Sequence, residues 1–413
     1  MKKPKKNYWE ERSRMSNIPK LRFPEFKGEW EEKRLSDIAS FSKGKGYTKN
    51  DLVNDGSPII LYGRMYTKYE TVISDIDTFV NLQAGSIISK GGEIIVPASG
   101  ETAEEISRAS VVKNKGIILG GDLNIISLQK DKYNPEFFAL TISSGTSQKR
   151  LSKLAQGKSV VHLHNEDLSG LQIKAPSLTE QQKIADFLSN VDSIITAETK
   201  ILNTLQKKKK ALMQKLFTQQ LRFKSEDGTN FPAWEEKKLG DVCETYSGGT
   251  PKSGTAEYYG GEIPFIRSGE ISSNKTELFL TEKGMENSSA KMVSKGDILY
   301  ALYGANSGLC SISKIDGAIN QAILCIKTNE NKRFLCNYLQ YQREYFYSTY
   351  LQGGQGNLSG KLVESFIIPL PCLAEQQKIA DCLSSLDSLI QTQQKVVTTW
   401  QQRKKALLQQ MFV

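Results

Sequence analysis

Few residues of this chain have the types and spacing that catalysis requires. The only histidines are His162 and His164, which alternate in SVVHLHNEDL with no acidic or cysteine cluster of ligand spacing beside them. The six cysteines all lie in the second half of the chain and form no CxxC pair, which argues against a zinc site and against a disulfide framework. The sequence therefore predicts no metal site. For the two histidines, a polar contact to a phosphate or base edge and a purely structural role both stay open.

Glycine-rich stretches and an NPEF tetrapeptide are the remaining candidates for cofactor chemistry. GGQGN at 353–357 and KGKG at 43–46 lack the strand, helix and downstream acid of a dinucleotide site, and no GxxxxGKS or GxxxxGKT segment is present. NPEF is one residue away from the NPPF-like motif with which amino-methyltransferases hold a flipped adenine, but glutamate replaces the second proline and no cofactor-binding glycine motif accompanies it. We therefore expect loops that approach a neighbour closely, and a helix that begins with Asn134 as cap and Pro135 at its first position.

An internal repeat dominates the elements that must position these residues. Residues 176–217 recur without a gap at 371–412, and 23 of the 42 aligned residues are identical. Apolar residues in both copies alternate in steps of four and three, the spacing of a heptad helix. A helix over 178–217 would be about 60 Å long, because each residue adds about 1.5 Å.

The apolar seam of each long helix needs a partner. Polar residues interrupt the seam at Glu198 and Lys209 in the first copy, and at Gln393 and Lys404 in the second. Neither seam could stay bare in water, so we expect the two helices to pair with each other as an antiparallel coiled coil. The predicted seam residues are Ile184, Leu188, Val191, Ile195, Leu202, Leu205, Leu212, Leu216, Ile379, Leu383, Leu386, Ile390, Val397, Trp400, Leu407 and Met411.

Two dissimilar segments alternate with these helices. They open alike, with LRFPEFKGEWEEKRLSDI at 21–38 and LRFKSEDGTNFPAWEEKKLGDV at 221–242, and then keep only scattered similarities. β-Branched runs with glycine turns occur in both, together with stretches of helical spacing. The predicted fold class is α+β: two mixed α/β domains alternating with two long helices, in a pseudo-twofold internal repeat. The predicted boundaries are an N-terminal extension over 1–17, a first domain over 18–175, a first spacer helix over 176–220, a second domain over 221–370 and a second spacer helix over 371–413.

The composition and charge of the chain limit the kinds of partner that it can bind. The chain has 413 residues, 38% of them hydrophobic, which is enough for two or three domains with real cores. No apolar run approaches the roughly 18 residues of a membrane span, and the lysine-rich start leads into no apolar stretch, so we expect a cytoplasmic protein. A formal charge of +10 favours an acidic polymer as partner.

Several motifs together resemble a known family. The duplicated helices with EQQKIAD near their starts, and WEEKKLGDV followed by SGGTPKSGTAEYYGGEIPFIRSGEI, closely resemble the DNA specificity (S) subunit of Type I restriction-modification systems. The resemblance covers nearly the whole chain, although GKGYTKND at 44–51 departs from the pattern of TPKSG in the second domain. MSNIPKLRF, which begins at Met15, looks like a natural start.

The resemblance implies a recognition subunit that catalyses nothing itself. Each domain would be a target-recognition domain that reads one half of a bipartite DNA site. The helices would set the distance between the halves and dock two methyltransferase (modification) subunits, and two motor-nuclease (restriction) subunits could join them. No cofactor would bind this chain, because S-adenosylmethionine would bind in the partner methyltransferase subunits, which would act on a flipped adenine.

Candidate DNA contacts combine hydrogen-bonding side chains and aromatic residues in loops. Arg64 and Arg267 are the stronger candidates for base reading, because a guanidinium can bridge guanine O6 and N7, whereas lysines mostly hold phosphates. The full predicted set is Lys43, Lys45, Tyr47, Arg64, Tyr66, Arg108, His162 and His164 in the first domain, and Thr250, Lys252, Ser253, Tyr258, Arg267, Ser268, Tyr303, Asn306, Gln355 and Asn357 in the second.

Two alternative functions come from other classes. A self-contained DNA adenine methyltransferase would need a cofactor pocket, and crosslinking of the purified chain to radiolabelled S-adenosylmethionine would support it. A coiled-coil scaffold that binds no DNA would explain the helices, but it would not explain two divergent, strand-rich domains in a basic chain.

Overall fold

The computed structural model describes residues 17–129, 131–155, 157, 160–350 and 357–413. The chain divides into two compact units, one formed by Met1–Thr199 with Val396–Val413 and the other by Lys200–Lys395. Each unit therefore contains one strand-rich module, the start of one long helix and the end of the other. The first module is residues 18–175 and the second module is residues 221–370.

The two long helices have the bounds that the repeat predicts. They run over Leu178–Phe217 and Leu373–Met411. Every predicted seam residue is buried or half-buried, and so are the four polar interruptions. The predicted seam is therefore confirmed as the covered face of both helices.

Within each unit, the two helix segments run antiparallel. In the first unit Ile184 and Leu188 share a core with Met411 and Leu407, and in the second unit Leu216 and Met213 share a core with Ile379 and Leu383. The pairing of the two helices as one continuous coiled coil stays a prediction.

Salt bridges explain two of the polar interruptions. Lys404 Nζ lies 2.5 Å from Asp192 Oδ1 in the first unit, and Lys209 Nζ lies 2.6 Å from Asp387 Oδ1 in the second. The repeat aligns Lys209 with Lys404 and Asp192 with Asp387, so both units contain the same bridge. A lysine is tolerated at a seam position because a carboxylate on the other helix meets it there.

The first module contains two five-stranded sheets. One sheet has the strand order 39–43, 123–128, 93–97, 110–112 and 72–73, and the other has the order 52–53, 79–80, 57–60, 115–119 and 88–90. Its strands are Glu31–Arg34, Ala39–Lys43, Leu52–Val53, Ser57–Ile60, Val72–Ile73, Phe79–Val80, Ile88–Lys90, Glu93–Pro97, Ser99–Gly100, Ser110–Val112, Lys115–Leu119, Leu123–Leu128, Val161–His162 and Gln172–Ala175. Its helices are Leu35–Ile38, Lys49–Asp51 (3-10), Arg64–Thr67, Ala103–Ile106, Pro135–Ile142, Gly145–Leu154 and Asn165–Ser169.

The second module keeps the same plan with fewer strands. One four-stranded sheet has the order 243–247, 323–328, 298–301 and 310–312, and the other has the order 278–280, 259–266, 317–319 and 291–293. Its strands are Glu235–Lys238, Cys243–Ser247, Tyr259–Ile266, Leu278–Leu280, Lys291–Val293, Ile298–Ala301, Cys310–Ile312, Gly317–Ile319, Ile323–Thr328 and Ile367–Leu370. Its helices are Leu239–Val242, Ala256–Tyr258 (3-10), Ser268–Glu270 (3-10), Glu282–Glu286, Lys332–Tyr341, Arg343–Tyr350 and Gly360–Glu364.

A buried carboxylate fastens the opening segment of the first module to its long helix. Glu180 in the first helical turn is almost fully buried and accepts hydrogen bonds from Arg22 Nε at 2.7 Å, Arg22 Nη2 at 2.8 Å and Trp30 Nε1 at 3.4 Å. These bonds, with burial opposing them, raise the pKa of Arg22. A buried charge is tolerated here because it is paired and hydrogen-bonded.

The two glutamines after Glu180 fasten a second segment to the same helix. Gln181 Oε1 accepts from the backbone N–H of Asn134 at 2.9 Å, and Gln182 Oε1 accepts from Asn134 Nδ2 at 2.6 Å. Asn134 caps the helix Pro135–Ile142 through the Phe137 N–H, as the sequence predicts. We call Arg22, Trp30, Asn134, Glu180, Gln181 and Gln182 the first clasp.

The second module has an equivalent clasp. Glu375 accepts from Arg222 Nε at 3.0 Å, Arg222 Nη2 at 2.7 Å and Trp234 Nε1 at 2.9 Å. Gln376 accepts from the backbone N–H of Asn331 at 2.9 Å, and Gln377 accepts from Asn331 Nδ2 at 2.8 Å. The second clasp is Arg222, Trp234, Asn331, Glu375, Gln376 and Gln377. The EQQ motif is therefore explained by folding: it holds each module at the start of its long helix.

The cysteines occupy three kinds of environment. Cys310, Cys325 and Cys336 are buried, Cys243 and Cys382 are half-buried, and Cys372 is exposed; all six are free thiols. Burial raises the pKa of the Cys243 thiol to about 11.

Candidate nucleic-acid interface

Five segments of the first module meet at the end of the sheet opposite the clasp. The inner strand Leu123–Leu128 leads toward Asn134 at its carboxyl end, and the turn at residues 120–122 lies at its other end. Backbone bonds join the segments around this turn: Gly44 N–H to Leu123 O at 2.9 Å, Ala98 N–H to Asp122 O at 2.8 Å, Leu163 N–H to Ala98 O at 3.0 Å and Gly120 N–H to Ile60 O at 3.0 Å. We call residues 42–46, 61–64, 97–100, 120–122 and 162–165 the first edge.

The second module repeats these junctions. Leu302 N–H donates to Ala322 O at 2.8 Å and Leu358 N–H donates to Leu302 O at 2.9 Å, which match the bonds of Ala98 and Leu163 in the first module. The parallel pairing of Ile266 with Ile319 likewise matches that of Ile60 with Leu119. We call residues 247–250, 267–270, 301–306, 320–322 and 357–359 the second edge.

A glycine lets the chain cross each edge. A Cβ on Gly44 would lie 1.8 Å from Gly120 O, and a Cβ on Gly248 would lie 1.8 Å from Ile319 O. Only glycine permits so close a backbone approach. The expectation that KGKG forms a loop in close contact with a neighbour is therefore confirmed at Gly44.

Several predicted residues gather on the first edge. Lys43, His162 and His164 are exposed there, and so is Lys45. His162 Nδ1 lies 3.3 Å from Ser99 Oγ, and Tyr66 donates its hydroxyl to Ser99 O at 2.6 Å. Burial raises the pKa of the Tyr66 hydroxyl, which keeps it a neutral donor.

Two other predicted residues of the first module have internal contacts. The Tyr47 hydroxyl lies 2.6 Å from Ser86 Oγ and accepts from the Gln83 N–H at 2.8 Å. Tyr47 also packs against the buried cluster of Ile59, Val80 and Ile118. Arg108 is half-buried, with its guanidinium carbon 5.5 Å from the centre of the Tyr69 ring.

Arg64 does not have the free guanidinium that base reading requires, and this corrects the sequence-based expectation. The residue is only 9% exposed. Its Nη1 donates to Asp77 Oδ1 at 2.6 Å, and its Nη2 donates to Glu70 Oε2 and Asp75 O, both at 2.7 Å. Arg64 therefore ties down the loop that returns to the strand Phe79–Val80.

Predicted residues also gather on the second edge. Thr250, Ser268, Tyr303 and Asn357 belong to it, and a Cβ on Gly269 would lie 3.7 Å from Asn306 Nδ2. The remaining predictions lie elsewhere. Lys252 and Ser253 are exposed in the following loop, the half-buried Tyr258 ends a 3-10 turn, and Gln355 lies outside the described residues.

Arg267 is partly exposed but engaged by two carboxylates. Its Nε lies 3.0 Å from Glu270 Oε2 and its Nη2 lies 2.7 Å from Glu277 Oε2, while 40% of the side chain stays accessible. Partial burial by itself would raise the pKa of Glu270, but hydrogen bonds from Arg267 and from the Glu277 N–H outweigh it and hold that pKa at about 2. Glu270 is therefore ionised at neutral pH and orients Arg267 at the edge.

The edges also contain residues that the motifs did not predict. Asn165 Nδ2 donates to Ser42 O at 3.0 Å in the first module. In the second, Thr250 Oγ1 donates to Gln321 Oε1 at 2.5 Å. The exposed Lys291 lies outside the second edge, with its Nζ 5.4 Å from the centre of the Tyr246 ring. Aligning GGDL in the first module with NQAI in the second would have drawn attention to Gln321.

Neither a metal-binding cluster nor a membrane-spanning helix is found among the described residues. No group of three or more His, Cys, Asp or Glu side chains in the described ranges could hold a metal ion. None of the helices described is long and apolar enough to cross a membrane.

Comparison with known families gives one match to a family model. The model is described as the Type I restriction modification DNA specificity domain, and it matches residues 27–207 and 233–399. Most of each module and most of each long helix lie within these two stretches.

Curated relatives match along almost the full chain. The putative type I restriction enzyme MjaX specificity subunit of Methanocaldococcus jannaschii is 27% identical, with 95% of each chain covered. The type I restriction enzyme MjaVIII specificity subunit of the same organism is 26% identical, with 94% of this chain and 92% of the relative covered.

The fold is also similar to solved structures. The S subunit of a Type-I restriction-modification system from M. genitalium superposes with a TM-score of 0.62 at 17% identity, over 96% of this chain and 99% of that chain. A chain from a study of complex assembly and conformational transition of the type I R-M system gives a TM-score of 0.57 at 19% identity, over 92% and 96% of the two chains. At these identities the likeness concerns the fold alone.

Proposed function

This chain belongs to the Type I restriction-modification DNA specificity family, and from that membership we propose how its parts divide the work of a sequence-specificity subunit. Each module reads one half of a bipartite DNA site through its edge. The chain performs no chemistry itself, and it works in a complex with DNA and other subunits.

One observation supports this division above all others: the two modules share a backbone frame and differ at its edge. The junctions around 120–122 and 320–322 use the same hydrogen bonds. Yet His162 occupies the place of Asn357, and Ser99 the place of Tyr303. Different donors and acceptors on the same frame would let one chain read two different half-sites.

The edges combine the two kinds of contact that DNA recognition needs. Lys43 and Lys45 on the first edge, and Lys252 in the loop that follows residues 247–250 of the second edge, are exposed cations suited to phosphates, which fix position without reading sequence. His162 and Asn357 offer hydrogen-bonding side chains suited to base edges.

The long helices act as a ruler between the half-sites in this proposal. B-DNA turns once in about 10.5 base pairs, so two half-sites read by one rigid protein must keep a fixed distance and phase. Pairing of the helices as a continuous antiparallel coiled coil would supply that rigidity.

The ruler can be tested by lengthening one helix. An insertion of four residues adds about 6 Å of helix. We expect the preferred spacer to change by one or two base pairs, or methylation to be abolished. An unchanged spacer preference with full activity would contradict the ruler.

The helices also carry a surface that suits the methyltransferase subunits. In the second unit Ile201 and Leu389 are 48% and 54% exposed, each one residue before a seam residue. In the first unit Phe187 and Ile194 have the same position relative to the seam. Apolar side chains beside a covered seam suit an apolar partner surface, and one such surface per unit fits two copies of one partner. S-adenosylmethionine would then bind in those partners.

Base reading by the second edge is tested with Arg267→Ala in the chain reconstituted with its candidate methyltransferase subunit. We measure which duplexes of a sequence library become methylated. With Arg267→Ala we expect the base preference at one position of one half-site to be lost, which corresponds to about 1 to 3 kcal/mol of discrimination between bases. The matched control is Arg333→Ala, at the clasp end of the same module, which should leave the motif unchanged. A uniform loss over all sequences would assign Arg267 to a phosphate, and a loss in both half-sites would contradict the division between modules.

A further inference from the structure

A rigid turn displays Gln321 at the tip of the second edge. The turn joins the strands Gly317–Ile319 and Ile323–Thr328. Asn320 Oδ1 accepts from the Ala322 N–H at 3.1 Å, and Ala322 O accepts from the Leu302 N–H at 2.8 Å. Both sides of the turn are therefore fixed, while the side chain of Gln321 is exposed.

Thr250 orients the amide of Gln321. Its Oγ1 donates to Gln321 Oε1 at 2.5 Å. Thr250 is itself held in place, because Gly248 and Gly249 cross the edge where a Cβ would lie 1.8 Å from Ile319 O or 1.9 Å from Ser289 Oγ. This leaves one lone pair of Oε1 and both hydrogens of Nε2 available, in a fixed plane.

The first module joins the equivalent two positions through its backbone alone. The shared frame puts Gly46 in the place of Thr250 and Gly121 in the place of Gln321, and the Gly121 N–H donates to Gly46 O at 2.8 Å. The shared backbone arrangement therefore forms with a glycine at both positions. Folding of the edge does not need an amide at this tip, so the Thr250–Gln321 pair in the second module calls for another explanation.

We propose that Gln321, oriented by Thr250, reads one adenine in the half-site of the second module; this rests on the proposed function. Gln321 Oε1 would accept from adenine N6–H and Nε2 would donate to adenine N7, which is the bidentate pattern that a glutamine makes in the major groove. Guanine would place its O6 acceptor against Oε1. The first module has no side chain at this place and would make no such contact.

The test is the methylation motif of the reconstituted complex on a duplex library. We expect the wild-type motif to contain an adenine at one position of one half-site. Gln321→Ala should reduce the preference there by about 10- to 100-fold, with every other position kept. Gln321→Glu should move the preference from adenine to cytosine, because a carboxylate accepts from cytosine N4.

Two further variants distinguish the orienting role of Thr250 from a general loss of methylation. Thr250→Val keeps the shape of the side chain but removes the hydroxyl, and we expect it to relax the same position by a smaller factor. Gln214→Ala makes the same change as Gln321→Ala on the exposed face of a long helix and should leave the motif unchanged.

The outcomes are distinguishable. An unchanged motif with Gln321→Ala, or an equal loss of methylation over all sequences, would overturn base reading by Gln321 while leaving the bipartite function intact. A wild-type complex that methylates no split motif would overturn the proposed function itself, and this inference with it.

Discussion

The clasp and the edge of each module lie beyond opposite ends of the same inner strand, Leu123–Leu128 or Ile323–Thr328, and only the edges differ in side chains between the modules. The clasps use the same residue types throughout: arginine, tryptophan, asparagine, glutamate and two glutamines. The edges keep the same backbone junctions and change the side chains on them. The contrast teaches that the attachment of a module depends on particular side chains, whereas the edge keeps only its backbone and its side chains are free to vary.

At one position of the edge, residues of opposite charge have the same structural role in the two modules. In the shared frame Arg64 has the place of Glu270. Arg64 binds Asp75 O and Asp77 before the strand Phe79–Val80. Glu270 accepts from the Glu277 N–H before the strand Leu278–Leu280. Opposite charges therefore hold the equivalent return loop in the two modules.

The largest expected effect comes from breaking a clasp. Glu375→Ala leaves Arg222 and Trp234 without their buried acceptor, and we expect a loss of about 3 to 5 kcal/mol in the free energy of unfolding. Glu180→Ala should cost a similar amount. Urea unfolding followed by tryptophan fluorescence measures both, with the exposed Glu286→Ala as control. A loss below about 1 kcal/mol in the free energy of unfolding for either glutamate would contradict the claim that both clasps attach their modules through this carboxylate.

The next largest effect is expected at Arg64, which holds the loop that returns to the strand Phe79–Val80. Arg64→Met removes three hydrogen bonds from a buried position, and we expect a loss of about 1 to 3 kcal/mol. Because the guanidinium of Arg64 is buried, the base preferences of the first half-site should stay the same once the variant is folded. Loss of the base preference at a single position of the first half-site would instead show that Arg64 reads a base.

A smaller effect is expected at the helix seam. Asp387→Lys sets a second lysine beside Lys209, and we expect it to destabilise the second unit by about 1 kcal/mol. Adding Lys209→Asp should recover most of that loss. The same changes at Asp192 and Lys404 should behave alike in the first unit. Thermal melting of both single variants and the double variant of each pair measures the coupling. Additive losses in both pairs would show that the bridges contribute nothing.

The smallest effect on the chain itself is expected at the exposed apolar surface. Leu389→Ser should change the stability by no more than about 0.5 kcal/mol, because the side chain is already accessible to water. It should nevertheless weaken co-purification with the candidate methyltransferase subunit. Leu82→Ser, at a residue that is 60% exposed in the first module, is the control. Equal recovery of the partner with both variants would contradict docking at this surface.

Local patterns made part of this structure predictable. Heptad spacing gave both long helices and their covered seam, and Asn134 followed by Pro135 gave a capped helix start, because these signals lie within a few residues of one another. Contacts between distant segments were not predictable in the same way. Lys209 meets Asp387 across 178 residues, and Thr250 meets Gln321 across 71. Arg64 was misjudged because its acidic partners come from a loop whose path the sequence does not reveal.

Methylome sequencing tests the central claim most directly. A host that lacks this system would carry the chain with its candidate methyltransferase subunit and be compared with the same host lacking only the chain. Methyladenine confined to one split motif, and dependent on the chain, is the predicted result. No new methylation, in cells where the complex is shown to form, would contradict the claim that the two edges read the two halves of a DNA site.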